Sequence, residues 1–123
     1  MMSWNESGFL AMKGSYFEGK KQGTWTHFHP NGTTSRAETW DDGRKTGPYM
    51  TYHPSGELES DGEMVNGHEE GHWTYWTEYG LKEMEGEYLD GVQHGDWIIY
   101  DGDGRPETKR IYRYGRLRSH QEL

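Results

Sequence analysis

Residues 88–104, YLDGVQHGDWIIYDGDG, contain one copy of the pattern from which the fold can be predicted. Tyr88 and Gly91 come first, a second glycine follows at 95, and two rings and a last glycine stand at 97, 100 and 104. Short runs of aromatic and β-branched residues bounded by glycine are typical of β-strands, and glycine provides the left-handed conformation that tight turns require. The stretch therefore predicts strands that end in short turns.

The same pattern recurs along the chain every 24 residues, a spacing that we call the repeat period. The glycines that keep this period are Gly8, Gly32, Gly56, Gly80 and Gly104; Gly19, Gly43, Gly67, Gly91 and Gly115; Gly23, Gly47, Gly71 and Gly95; and Gly14, Gly62 and Gly86. Three ring series keep it as well: Trp25, Tyr49, Trp73 and Trp97; Trp4, Phe28, Tyr52, Trp76 and Tyr100; and Tyr16, Trp40, Tyr88 and Tyr112, with Met64 in the missing place. Low-complexity sequence does not hold such a register. The spacing predicts one repeat array over residues 1–118, with a tail at 119–123, partial units at both ends, and full units that start near Tyr16, Trp40, Met64 and Tyr88.

Turn length sets the direction of the strands. Three-residue loops such as that in HPNG (residues 29–32) alternate with longer turns bracketed by two glycines, such as DDGRKTG (residues 41–47). Neither is long enough for a parallel crossover, which takes a dozen or more residues, so neighbouring strands must be antiparallel. We expect an all-β fold, a single-layer antiparallel β-meander of about ten strands built from 24-residue hairpin repeats.

The composition fits a thin sheet with a core of rings. Leu, Ile, Val and Phe together number only 14 of 123 residues, whereas there are six Trp and nine Tyr. Aliphatic content this low predicts that no second layer covers the sheet. Glu38 and Arg110 interrupt the series of Gly14, Gly62 and Gly86, and we expect less regular packing or a partner contact near those two positions.

Charge and composition exclude several classes of function. There is no cysteine, which excludes disulfides and thiolate chemistry, and the net charge of -8 argues against nucleic acid and anionic lipid as partners. Residues 1–19 show no secretion signal, so we expect a cytoplasmic protein. We interpret His27, His29 and the other histidines as polar turn and surface residues rather than metal ligands. No nucleophile and base can be assembled, so we expect neither catalysis nor a cofactor.

The charges are distributed unevenly. Residues 61–104 contain twelve acidic groups and one basic group, Lys82, and residues 105–123 contain six basic and two acidic groups. The acidic stretch is either a solvated surface or a docking strip for a basic partner. At the basic end, Arg110, Arg113, Arg116 and Arg118 either protect the terminal strand from pairing or meet the acidic region of a second copy in a homodimer.

The order Tyr16-x-x-Gly19, Gly23-x-Trp25, Phe28 and Gly32, repeated through residues 4–115, resembles the MORN repeat family. It is most similar to the bacterial variant associated with antitoxins of toxin–antitoxin systems. The resemblance implies a single-layer hairpin array and a non-catalytic, antitoxin-like or immunity-like role in binding a protein. The chain departs from the commonest motif, because the spacing is YxxG and a ring replaces the last glycine.

Two candidate surfaces follow for a protein partner. The first is an exposed aromatic ladder, formed by Trp25, Tyr49, Trp73 and Trp97, since exposed rings are frequent interface anchors; the alternative is that these rings pack as the core. The second is an acidic strip on one face, formed by Glu59, Asp61, Glu63, Glu83, Glu85 and Glu87. The alternative functions are a carbohydrate- or choline-binding repeat protein, which aromatic clusters also serve, and a self-associating scaffold.

Overall fold

The computed structural model describes residues 2–4 and 10–123, which form one antiparallel sheet of eleven strands in chain order. The strands are β1 (Met2–Trp4), β2 (Leu10–Phe17), β3 (Lys20–Phe28), β4 (Thr34–Asp41), β5 (Arg44–Tyr52), β6 (Leu58–Val65), β7 (His68–Trp76), β8 (Lys82–Leu89), β9 (Val92–Tyr100), β10 (Pro106–Arg113) and β11 (Arg116–Glu122). The predicted single-layer meander is confirmed. β11 continues past residue 118, into the segment expected to be a tail, and Gly8 of the glycine series lies outside the described residues.

Two kinds of turn alternate. In the loop after β3, the Gly32 amide donates to the His29 carbonyl at 2.9 Å and Gly32 has a φ of 90°, as predicted for a three-residue loop. The prediction of a longer turn at residues 41–47 is wrong. Only Asp42 and Gly43 form the turn, with φ values of 52° and 79°, which is the conformation of a two-residue type I′ hairpin. The second glycine of the bracket lies inside β5.

Each full repeat contains two interruptions of regular pairing. In the longer one, Asp61 pairs with Thr74 and Glu63 with Glu70, so Gly62 alone stands opposite three residues of β7. In the shorter one, a single extra residue enters the strand after the loop, again at the repeat period, at Ala11, Ser35, Glu59, Glu83 and Glu107. The strand that carries the rings stays regular at this bulge. Rings three residues apart, such as Trp73 and Trp76, therefore lie on opposite faces of the sheet.

The core consists of indoles laid on glycine. Trp25, Trp73 and Trp97 are 0%, 3% and 0% exposed. Each covers a glycine of the preceding strand, at Gly14, Gly62 and Gly86 respectively, so closely that a Cβ added there would overlap the indole. We call each such ring and the residue it covers a seam. The face that carries the indoles is the ring face, and the opposite one is the polar face.

The indole nitrogens are satisfied within their seams. The Nε1–H of Trp25, Trp73 and Trp97 donates to the carbonyl oxygen one residue beyond the covered glycine, at 3.0, 3.2 and 2.9 Å. Tyrosines pack against the indole edges, as Tyr88 does on Trp97 with ring centroids 5.1 Å apart. Buried indoles are stable because both their apolar surface and their N–H group have partners. A thin sheet therefore holds a core made of rings.

The second seam along the chain lies between those of Trp25 and Trp73 and does not consist of an indole on a glycine. This is the less regular packing that the sequence predicts near Glu38. Glu38 takes the place of the glycine and is 2% exposed, and Tyr49 takes the place of the tryptophan. The Glu38 carboxylate lies 3.1 Å from His27 Nε2, 3.4 Å from Arg36 Nε and 3.3 Å from Lys45 Nζ. Burial alone would raise the pKa of Glu38, but the neighbouring donors and positive charges outweigh it and hold the pKa below its ordinary value.

Candidate functional site

The predicted aromatic ladder is the core of the sheet. Trp25, Trp73 and Trp97 are buried and Tyr49 is half-buried, so the expectation that this series is exposed to a partner is wrong. The reason is the row of bare glycines on the same face, which allows the indoles to lie flat on the backbone. In the described ranges, 2–4 and 10–123, the structure contains no helix with the length and apolarity to span a bilayer.

The acidic positions predicted to share one face divide between two environments. Four of them alternate with the covered glycines and therefore face away from the rings. These four are Asp61, Glu63, Glu85 and Glu87. Glu59 and Glu83 are the extra residues of their bulges and leave the alternation. The Glu59 carboxylate accepts a hydrogen bond from Thr51 Oγ1 at 3.0 Å, at the edge of the ring face, so the single-face prediction is wrong for this residue.

The polar face brings further side chains to these four carboxylates. Glu70 stands directly opposite Glu63 in the neighbouring strand, and His72 stands opposite Glu87. The His72 ring lies between two carboxylates, with Nδ1 3.0 Å from Glu87 Oε1 and Nε2 3.6 Å from Glu85 Oε2. The alternation of residues 70–74 in the sequence indicates that Glu70 and His72 share a face. Their pairing with Glu63 and Glu87 follows only from the strand register. We call Asp61, Glu63, Glu70, His72, Glu85 and Glu87 the acidic row.

Few positive charges balance the acidic row. Lys82 Nζ lies 3.0 Å from Glu85 Oε2. Burial would raise the pKa of Glu85, but hydrogen bonds from Lys82 and Tyr100 and the Lys82 charge hold it below its ordinary value. Within the described residues, Asp61, Glu63 and Glu70 have no ion pair with a lysine or arginine. The acidic row therefore presents a net negative charge.

A cleft opens on the ring face between β5, β6 and β7. Its volume is about 360 Å³, and it is lined by Tyr49, Thr51, Glu59, Ser60, Met64, Glu69, Trp73 and Tyr75. Thr51 and Ser60 form a cross-strand pair on its floor. The equivalent pair one unit further along is the much larger Tyr75 and Met84. Two small residues in the row of large ones therefore create the cleft, which we call the ring-face cleft.

The four arginines at the C-terminal end are all exposed. Arg110 pairs with Trp97 on one side and His120 on the other, and Arg113 stands opposite Arg116. Arg118 is the fourth of these arginines. None of the four forms an ion pair within the part of the chain that the structure describes. The predicted role of this end in self-association stays a prediction.

The histidines at the loops connect successive units. His29 Nε2 donates to the carbonyl of Tyr52 at 2.8 Å, and His53 Nε2 donates to that of Trp76 at 2.9 Å. Both contacts join one loop to the ring strand of the next unit. Over residues 2–4 and 10–123, no three His, Asp or Glu side chains are placed to hold a metal ion together.

Comparison with known proteins adds no relative. No model of a known protein family matches the chain, and no curated protein matches it. The resemblance to MORN repeats therefore rests on the sequence motif alone.

Proposed function

We propose that the chain is a non-catalytic protein-binding module whose acidic row docks a basic segment of a partner protein. The observation that carries the proposal is the direct opposition of Glu63 and Glu70 across neighbouring strands, with Asp61 nearby. No lysine or arginine of the described chain pairs with any of the three. The antitoxin-like or immunity-like role implied by the motif is one form that such binding takes.

Opposed like charges favour a positively charged partner. Two carboxylates directly across a strand pair destabilise the sheet, because their Cβ atoms are only about 5 Å apart. A lysine or arginine from outside removes this repulsion when it binds. Complementary charge also raises the association rate and rejects acidic competitors. A single-layer sheet suits this role, since no second layer covers its polar face within the described residues.

The alternative functions have less support. Binding of carbohydrate by stacking needs a row of exposed rings. The three tryptophans of the main series are buried, and the second ring series is only partly exposed at Phe28, Tyr52, Trp76 and Tyr100. Self-association between the basic end and the acidic row uses the same electrostatic argument with a second copy as the partner. Light scattering at low salt separates the two ideas, because the proposal for a foreign partner predicts a monomer.

Titration with a model peptide tests the proposal. We expect a short peptide of alternating lysine and glycine to bind, with an affinity that falls as salt is added. A peptide with serine in place of lysine should not bind. The double variant Glu63→Gln, Glu70→Gln should lower the affinity about tenfold, the loss of close charge–charge contacts at an interface.

A matched variant controls for net charge. Glu57→Gln, Glu78→Gln removes two exposed carboxylates in loops and changes the net charge equally, so it should leave the affinity nearly unchanged. Equal losses in both variants would show that overall charge, and not the acidic row, attracts the peptide. Absence of binding to the unmodified protein at low salt would contradict the proposal itself.

A further inference from the structure

Two units of the array place a lysine over their own rings. Lys21 Nζ lies 4.7 Å from the ring centre of Trp25 and 4.6 Å from that of Trp40. One period later, Lys45 Nζ lies 5.7 Å from Trp40 and 5.6 Å from Tyr49. Ammonium groups at these distances are attracted to the electron-rich faces of aromatic rings. The array thus has a built-in position for a cation next to its rings.

The third unit keeps the rings and loses the cation. Position 69 is equivalent to Lys21 and Lys45, and it holds Glu69. Trp73 is surrounded there by Tyr49, Tyr75 and Tyr88, with ring centres 5.6, 6.3 and 5.9 Å away. Within the described residues, no lysine or arginine lies over Trp73. The third unit has an aromatic surround and a carboxylate in place of the lysine.

The ring-face cleft lies at this position and is negatively charged. Glu69 and Glu59 line it together with the Thr51 and Ser60 hydroxyls. The nearest lysine already has a carboxylate partner, since Lys45 Nζ lies 3.3 Å from Glu38, and the His53 ring lies 3.5 Å from Glu59. The half-exposed Glu59 keeps capacity to accept further hydrogen bonds. Aromatic walls, hydroxyls and two carboxylates are the surroundings that stabilise a desolvated organic cation.

We propose that the ring-face cleft binds an arginine side chain of a protein partner, in the place that lysine takes in the two preceding units. A guanidinium group is planar, so it stacks on a tyrosine or tryptophan while its N–H groups donate to carboxylates and hydroxyls. Glu59 and Glu69 would accept these hydrogen bonds, and the half-buried Tyr49 and Tyr75 would supply the aromatic walls, since Trp73 itself is buried. The site lies on the face opposite the acidic row, so it adds a second, separate point of recognition.

Titration with a single arginine unit tests the site. We expect N-acetyl-arginine methylamide to shift the nuclear magnetic resonance signals of Tyr49, Ser60, Trp73 and Tyr75, saturating in the millimolar range. The citrulline analogue has the same shape without the charge and should produce no such shift. Equal shifts from both compounds would overturn the proposal. Tighter binding of choline than of the arginine compound would also overturn it, in favour of a small-molecule site.

Substitution of Glu69, which occupies the position of Lys21 and Lys45 in the repeat, gives a second test of the site. Glu69→Lys restores the lysine of the preceding units and should reduce the affinity for the arginine compound at least tenfold. Glu78→Lys makes the same change in charge on an exposed loop outside the residues that line the cleft, and it should leave the affinity within about twofold, because salt and water screen an exposed charge. If Glu69→Lys fails to fold, Glu69→Gln should still weaken binding severalfold. Unchanged affinity in the folded variants would contradict the site.

Binding of the arginine compound to the ring-face cleft can be tested separately from peptide binding to the acidic row. The double variant Glu63→Gln, Glu70→Gln changes only the polar face and should leave binding of the arginine compound unchanged. Loss of peptide binding in that variant with intact arginine binding supports both sites. Arginine binding that disappears together with peptide binding would contradict the separation of the two sites.

Discussion

The second and third seams occupy equivalent positions of the repeat and are closed by different forces. In the third seam, Trp73 covers Gly62 and donates its N–H to a backbone carbonyl. In the second, Tyr49 stands where the indole would be, and the buried carboxylate of Glu38 is surrounded by His27, Arg36 and Lys45. Apolar contact closes one seam, and electrostatic attraction closes the other.

The difference shows that the repeat does not depend on the content of any one seam. Both seams lie between the same two kinds of turn, and each contains an interruption in which one residue faces three: Gly62 in the third seam and Thr39, one position later in the unit, in the second. Turn geometry therefore sets the sheet, and the register inside each seam adjusts to the side chains that fill it. The two seams should consequently respond differently to substitution and to pH.

The largest effect is expected in the third seam. Gly62→Ala places a methyl group inside the indole of Trp73, and the ring cannot move without losing its hydrogen bond. We expect a loss of about 2–4 kcal/mol in the free energy of unfolding, because overpacking a buried contact forces the backbone apart. Chemical denaturation followed by tryptophan fluorescence measures the loss.

Gly102→Ala is the matched control for this change. A Cβ added at Gly102 would have no atom within 4 Å, and Gly102 is not one of the glycines that keep the repeat period. The same substitution there should change the stability by less than about 0.5 kcal/mol. If Gly62→Ala were equally mild, the close packing of indole on glycine would not be what holds the seam.

A smaller effect is expected from removing the buried charge of the second seam. Glu38→Ala leaves three positively charged or protonatable side chains without their carboxylate, and we expect a loss of about 2 kcal/mol. The loss is limited because Arg36 remains partly exposed and its guanidinium can be hydrated. The melting temperature at neutral pH measures it.

Conversion of the second seam into the third tests whether the two are interchangeable. The double variant Glu38→Gly, Tyr49→Trp imitates the third seam, so it should recover part of the stability that Glu38→Ala loses. A double variant less stable than Glu38→Ala would show that the two seams are not interchangeable.

The two seams should also differ in their response to acid. The folded-state pKa of Glu38 lies below its ordinary value of 4.5, so its charge adds stability above that pH. This stability is lost as the pH falls through the folded-state pKa. The difference in melting temperature between the unmodified chain and Glu38→Ala should therefore shrink on acidification, whereas the effect of Gly62→Ala should persist. A difference that stays constant from pH 7 to pH 3 would contradict the role of the Glu38 charge.

Much of the fold could be predicted from the sequence because glycine marks its turns. The positions that need a positive φ, such as Gly32 and Gly43, recur at the repeat period and specify hairpins at fixed intervals. The second glycine of each unit was harder to interpret. Gly47 has a φ of 120° inside a strand, which the sequence pattern alone does not distinguish from a longer turn.

The candidate site was less predictable, since a single-layer sheet has rings on both faces. Alternation separates Trp73 from Trp76 but does not reveal which of the two is covered. The burial of Trp73 depends on the bare backbone of Gly62, which the sequence does show. The sequence places Glu59 on the wrong face because no glycine or proline marks the bulge that contains it. The opposition of Glu63 and Glu70 follows only from the strand register.

We propose that the rings hold the sheet together while the acidic row is kept for a partner, and the double variant Glu63→Gln, Glu70→Gln separates these two roles. Glu70 accepts a hydrogen bond from the Asp90 amide at 2.7 Å, and a glutamine can keep this bond, as Gln22 does with Asp42. Relief of the opposed charges should therefore raise the melting temperature by about 1–3 °C, while the affinity for the lysine peptide falls about tenfold. A lower melting temperature together with unchanged affinity would show that the acidic row serves the fold and not a partner.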